Sequence, residues 1–139
     1  MVAYMYAAIL IIFALCQLYT FDKFLILLDS FALPYGTYLS HLFGGLIVTC
    51  EVFALPFLLG MPLSSGMRLA SMVFGWMVPI AWLKIAFWLS ILANTSTNIG
   101  FLGTIVSLVP GWWAVFVSIA LGMLAIWSSW GLWPGRRSR

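Results

Sequence analysis

Few residues of this sequence can do chemistry inside an apolar chain, and one acid stands at their centre. Glu51 lies near the middle of HLFGGLIVTCEVFALPFLLGMPLSSGMR, His41 to Arg68, whose apolar part is long enough to cross a bilayer. A carboxylate at that depth costs about 2.5–3.5 kcal/mol even on lenient insertion scales. It is kept there because it holds a proton, faces a partner within the protein, or touches a ligand or a second subunit. His41, Gly44, Val48 and Glu51 follow one another at intervals of three, four and three, which sets them on one helical face. Pro56, one turn further on, has no N–H for the Val52 carbonyl and adds a freed polar group below the acid.

Five other polar side chains accompany Glu51 as candidates for binding a ligand or handling a proton: His41, Lys84, Lys23, Gln17 and Arg68. With about 1.5 Å of rise per residue, Glu51 lies roughly 13 Å and Lys84 roughly 25 Å from the Gly60 to Met67 end of their spans. A direct ion pair between them therefore requires the lysine to bend inward or one span to slide. The expected arrangement is a column in stages, with Lys23, Asp22, His41 and Lys84 uppermost, Gln17 next, Glu51 deeper and Arg68 at the floor. Phe53, Phe57, Trp76 and Trp82 are the aromatic side chains expected to wall the acid. As the only histidine, His41 reads as an interfacial side chain rather than a ligand. For Glu51, a protonated carboxyl bonded to a neighbouring helix and a functional role stand side by side.

The elements that must position these groups follow from composition. The chain of 139 residues is 65% hydrophobic and 6% charged, too little polar surface to clothe a soluble globule. It reads as an all-α integral membrane protein of one domain, a four-transmembrane-helix bundle with spans at about 2–28, 41–59, 67–92 and 105–133. No stretch alternates as a barrel strand does. The first span has no basic leader or small-residue cleavage site and reads as retained, and Leu15 before Cys16 argues against lipoprotein processing. It is expected to run through Asp22 and Lys23 to Leu28. A short interfacial loop, Asp29 to Tyr38, then joins helices 1 and 2, with Pro34 and Gly36 to turn it and Tyr35 and Tyr38 at headgroup level.

Gly44 and Gly45 allow a neighbouring helix to come close. Gly60 to Gly66 makes a tight connection, and Pro79 lies in the middle of the third span. Asn94 to Thr104, NTSTNIGFLGT, is the most polar loop and carries no charge; its Asn94-Thr95-Ser96 has the form of a glycosylation acceptor. Trp112, Trp113, Trp127, Trp130 and Trp133 stand toward the two ends of the last span, as interface anchors do.

Three of the six basic residues, Arg136, Arg137 and Arg139, follow the last span, so the net charge of +3 reads as an anchor against anionic lipid and not as a nucleic-acid surface. With that tail cytoplasmic, four crossings put both termini and Arg68 inside and Lys23 outside, as expected for a multi-pass protein of a cell's inner (cytoplasmic) membrane. Cys16 and Cys50 have no CxxC spacing; a bridge between them needs Cα atoms within about 7 Å. One histidine cannot give bis-imidazole haem ligation, and there is no cysteine cluster for iron and sulfur, no phosphate-cradling loop and no metal-binding set. No cofactor is bound by a recognisable motif; a buried acid with aromatic walls could hold a flat, lipid-soluble ligand such as a quinone, or a lipid.

The glycines before the acid, Glu51 itself, FALPFLLG and RLA together resemble the central signature of the DoxX-like family and the related MauE-type four-span proteins. Lys23, Pro34, Glu51, Gly60 and Arg68 occupy places where that family carries a span-one lysine, a loop proline, a span-two glutamate and a leucine-rich stretch ending in glycine and arginine. The match covers about residues 15 to 80. The cysteine motif that many MauE-type members carry after span three is absent from Asn94 to Thr104, so a thiol-transfer role does not carry over. The resemblance implies a small membrane subunit of a redox-associated, quinone-linked complex, since DoxX-like proteins include a membrane subunit of thiosulfate:quinone oxidoreductase. In that reading Glu51 exchanges a proton with a flat lipid-soluble ring. The alternatives are a structural or assembly subunit with no ligand, partnered by other membrane or peripheral subunits, and a small-solute transporter.

Overall fold

The computed structural model describes residues 1–32, 34, 36–92 and 98–132. Tyr35, the Asn94-Thr95-Ser96 triplet, Trp133 and the terminal arginines, on which expectations were placed, lie outside the described residues. Five helices follow one another: α1 (Val2–Tyr19), α2 (Phe21–Ser30), α3 (Gly36–Leu58), α4 (Ser65–Ile91) and α5 (Trp112–Leu132). No strand occurs among the described residues. All except α2 are long and apolar enough to cross a membrane. The protein is thus an all-helical, multi-pass bundle.

α3 packs between α1 and α4, and α5 packs between α4 and α1, so the four long helices close a square. Directions alternate. Arg68 at the start of α4 donates to the Leu132 carbonyl at the end of α5 (2.6 Å), and Tyr6 near the start of α1 reaches across to the Gly75 carbonyl of α4 (2.6 Å). The start of α1, the α3–α4 connection and the end of α5 therefore share one end of the bundle, and α2 and the 98–111 segment share the other.

The first expected span is two helices. At Thr20 the backbone leaves helical angles (φ −119°, ψ 34°), and the Thr20 hydroxyl donates back to the Cys16 carbonyl (3.1 Å) while accepting the Thr104 N–H (3.2 Å). A threonine back-bonded in this way loosens a helix, and the incoming loop fixes the break. α2, only ten residues, turns Phe24 and Leu28 into the core one helical turn apart, and its Leu28 and Leu25 side chains lie where a Cβ on Gly44 would be. Gly44 is the close approach that the sequence anticipates; around Gly45 there is open space. The joining loop is also shorter than expected, because Asp29 and Ser30 belong to α2 and α3 begins at Gly36.

Pro56 interrupts α3 in a specific manner. The Ser71 hydroxyl of α4 accepts the Phe57 N–H (3.2 Å) and donates to the Phe53 carbonyl (2.5 Å), the two groups that bond directly in an unbroken helix. α3 then ends in a Schellman motif, with Gly60 at φ +69°, Met61 N–H on the Pro56 carbonyl and Gly60 N–H on the Phe57 carbonyl. Ser64 opens α4 as its N-cap, accepting from Met67 N–H.

Candidate functional site

Glu51 faces the interior, with no solvent exposure. Its carboxyl sits where α1, α3, α4 and the segment before α5 meet. Gln17 of α1, equally enclosed, donates through Nε2 to Glu51 Oε1 (3.3 Å) and to the Phe101 carbonyl (3.1 Å). Trp82 of α4, also fully buried, donates its indole N–H to the same Oε1 (3.4 Å). Both donors fall on one carboxyl oxygen. Glu51 Oε2 and Gln17 Oε1 are buried with no hydrogen-bond partner in the structure. An unpaired buried acceptor is costly, and Oε2 is the carboxyl oxygen that neither Gln17 nor Trp82 satisfies.

Trp82 also belongs to an aromatic cluster. The Phe101 ring centroid is 4.7 Å from that of Trp82 and 5.6 Å from Phe13, while Phe24 flanks Trp82 at 6.4 Å and Trp113 meets Phe101 at 6.2 Å. These spacings fit favourable tilted and offset ring pairs.

Phe101 is carried by irregular backbone, and its position has identifiable causes. The Asn98 side chain accepts the Gly100 and Leu108 N–H groups and donates to the Gly103 carbonyl, so one buried amide folds the segment on itself. Ile99 N–H closes it on the Leu108 carbonyl (2.8 Å). Gly103, at φ +58°, then lies against the Thr20 break; a Cβ there would meet Thr20 Oγ1 at 2.7 Å and the Cys16 carbonyl oxygen at 2.8 Å. Only a glycine lets this loop sit on α1 and bring the Phe101 carbonyl to Gln17. The last span consequently begins at Trp112. Residues 105–111, expected within it, belong to the loop, because Asn98 and the helix-incompatible Pro110 and Gly111 give that backbone other partners.

Of the six sequence candidates, the structure brings together Gln17 and Glu51. His41, 44% exposed in its side chain, pairs with Asp29 of α2 at 3.0 Å and stands at the rim, while Gly44, Val48 and Glu51 of the same stripe are buried. Arg68 is at the opposite end, with its guanidinium on the Leu132 carbonyl and 5.9 Å from the Phe57 ring centroid. Lys23 is exposed on α2, and Lys84 is exposed on the outer side of α4. The staged column thus reduces to one buried pair with basic groups outside it. Among the expected aromatic walls, Trp82 contacts the acid; Phe57 lies beside Arg68, Phe53 is half exposed against Phe74, and Trp76 donates to Ser129 (2.7 Å). Cys16 and Cys50 are free thiols.

Sequence reasoning missed Phe101, Asn98, Gly103 and Thr20. The one available signal was the Asn98-Gly100-Gly103 spacing, which turns a backbone sharply within an otherwise apolar stretch. Surface cavities lie elsewhere. One, of about 650 Å³, is an apolar crevice between α4 and α5 lined by Trp76, Pro79, Ile80, Gly122, Met123 and Ile126, among others.

No protein-family model, characterised protein or solved structure matches the chain. The likeness to DoxX-like and MauE-type proteins rests on the sequence alone: the glycines before Glu51, FALPFLLG and RLA, with Lys23, Pro34, Glu51, Gly60 and Arg68.

Proposed function

We propose that the chain is a small integral membrane subunit of a redox-associated complex of the DoxX-like kind, and that Glu51 exchanges a proton with a lipid-soluble quinone. The supporting observation is the unpaired, buried Glu51 Oε2, with both neighbouring donors directed at Oε1 and one of them, Trp82, packed on Phe101. A flat ring that displaces Phe101 from Trp82 gains an aromatic face and comes within reach of that oxygen. On reduction the ring takes two electrons from a partner enzyme and two protons, one from water and one from Glu51, which stays ionised until water reprotonates it after the quinol leaves. Gln17 and Trp82 hold the carboxyl throughout and stabilise its charged form.

In this reading the protein lies in the cytoplasmic membrane with both termini inside. Arg68 and the end of α5 share one end of the bundle, and three arginines follow α5 in sequence, whereas Lys23 and Lys84 lie toward the other. Peripheral or membrane partners supply the electrons.

A second reading has its own support. The Gln17 amide bonds the Glu51 carboxyl and the Phe101 carbonyl together, so the group also serves as a polar lock in a structural or assembly subunit. E51Q separates the two. Glutamine keeps an acceptor oxygen for Gln17 and Trp82, so both readings leave the bundle folded. The redox reading requires loss of quinone-dependent turnover in the assembled complex. Turnover equal to wild type removes the proton role and leaves the lock.

A further inference from the structure

A cation-bearing feature lies on the outside of the bundle, away from Glu51. Between α3 and α4 run two cavities, of about 160 Å³ and 360 Å³, which share the residues Phe43 and Lys84. The smaller extends along Ile47 and Cys50 toward Met77 and Val78, and the larger along Ile85, Trp88 and Leu92 toward Pro34. Among the described residues their linings are apolar except for Lys84 at the junction. Together they make one slot between adjacent helices with a single ammonium part-way along it.

The depth of that ammonium bears on what it meets. α4 has 27 residues, and Lys84 lies six residues from its midpoint, near Val78, toward the α2 end. At about 1.5 Å per residue its Cα is roughly 9 Å from the centre of a hydrocarbon layer about 30 Å thick, within reach of the layer's edge for an extended lysine stem. An extended stem therefore brings the amine to the edge of the hydrocarbon layer at that end, next to the glycerol and phosphate level, while the slot below it lies at acyl-chain depth.

We propose that the α3–α4 slot is a binding site for an anionic phospholipid, whose phosphate lies on Lys84 and whose acyl chain lies along Phe43, Ile47, Met77 and Val78. Charge complementarity favours an anionic headgroup over a zwitterionic one, because a choline or ethanolamine lipid brings its own cation to the phosphate and gains less from the lysine. The site is independent of the Glu51 chemistry.

Photoreactive phosphatidylglycerol and phosphatidylcholine, each with a diazirine in the acyl chain, test this in nanodiscs holding the full chain, with cross-linked peptides mapped by mass spectrometry. The glycerol lipid is expected to label α3 residues 43–50 and α4 residues 77–92 severalfold more than the choline lipid at equal mole fraction. K84Q is expected to remove that preference, K84R to retain it, and K23Q to leave it unchanged. Helical content and monodispersity of each variant report folding separately. Equal labelling by the two lipids in the wild type means ordinary solvation of a crevice and overturns the site, as does an undiminished preference in folded K84Q.

Discussion

Replacing Gly103 by alanine tests the seating of the Phe101 loop. The residue stands at φ +58°, a conformation that costs a side-chain-bearing residue about 1–2 kcal/mol. The added Cβ would lie 2.7 Å from Thr20 Oγ1, 2.8 Å from the Cys16 carbonyl oxygen and 3.1 Å from Gln17 Cα; the last two are backbone atoms of α1 that cannot swing aside. The loop must lift. Lifting breaks the Gln17 to Phe101 carbonyl bond (3.1 Å) and the Thr104 to Thr20 bond (3.2 Å), each worth about 0.5–1.5 kcal/mol. G103A should therefore lose about 2–5 kcal/mol, measured by reversible unfolding in mixed detergent micelles, and its near-ultraviolet dichroism should weaken as Phe101 leaves Trp82. Gly45 is the internal control, since nothing lies within 4 Å of a Cβ built there; G45A in the α3 interior should be neutral or stabilising by up to about 1 kcal/mol. A G103A protein within about 0.5 kcal/mol of its parent, with unchanged dichroism, would refute the idea that this glycine seats the loop.

Three further outcomes follow from single contacts. Q17L removes the donor to both Glu51 and the Phe101 carbonyl and leaves buried acceptors unpaired, so it should destabilise by about 2–3 kcal/mol in the same assay, and W82F, which withdraws one donor, by about 1 kcal/mol. S71A leaves the Phe53 carbonyl and Phe57 N–H without their bridge, costing about 1–2 kcal/mol; in the P56A background the α3 ladder can close and most of that cost should vanish, a coupling that a double-mutant cycle reads directly. Y6F loses the bond to the Gly75 carbonyl that ties α1 to α4 across the square, and should cost about 1 kcal/mol.

Hydropathy and length were enough to mark four membrane-crossing helices, because an unbroken apolar stretch of some twenty residues has few other uses. Glu51 and Gln17 were legible for the complementary reason that polar groups within such stretches must be compensated. Spacing gives only part of the place of His41. It shares a face with Glu51, but α3 begins at Gly36, so that face passes from the core to a rim where Asp29 of α2 provides a partner. The Thr20 break could not be read, because hydropathy averages over a back-bonded threonine. The loop before α5 looked polar through its asparagines, threonines and glycines, yet Asn98 turns inward to bond its own backbone and carries Ile99 and Phe101 into the core. Tertiary contacts made by irregular backbone leave no periodicity to detect.

The central claim concerns one proton on one oxygen. Redox-difference infrared spectroscopy of the purified complex with a short-chain benzoquinone should give a carboxylic C=O band that shifts in deuterium oxide, disappears on reduction of the quinone and is missing in E51Q. A difference spectrum that is the same in E51Q as in the parent would contradict it.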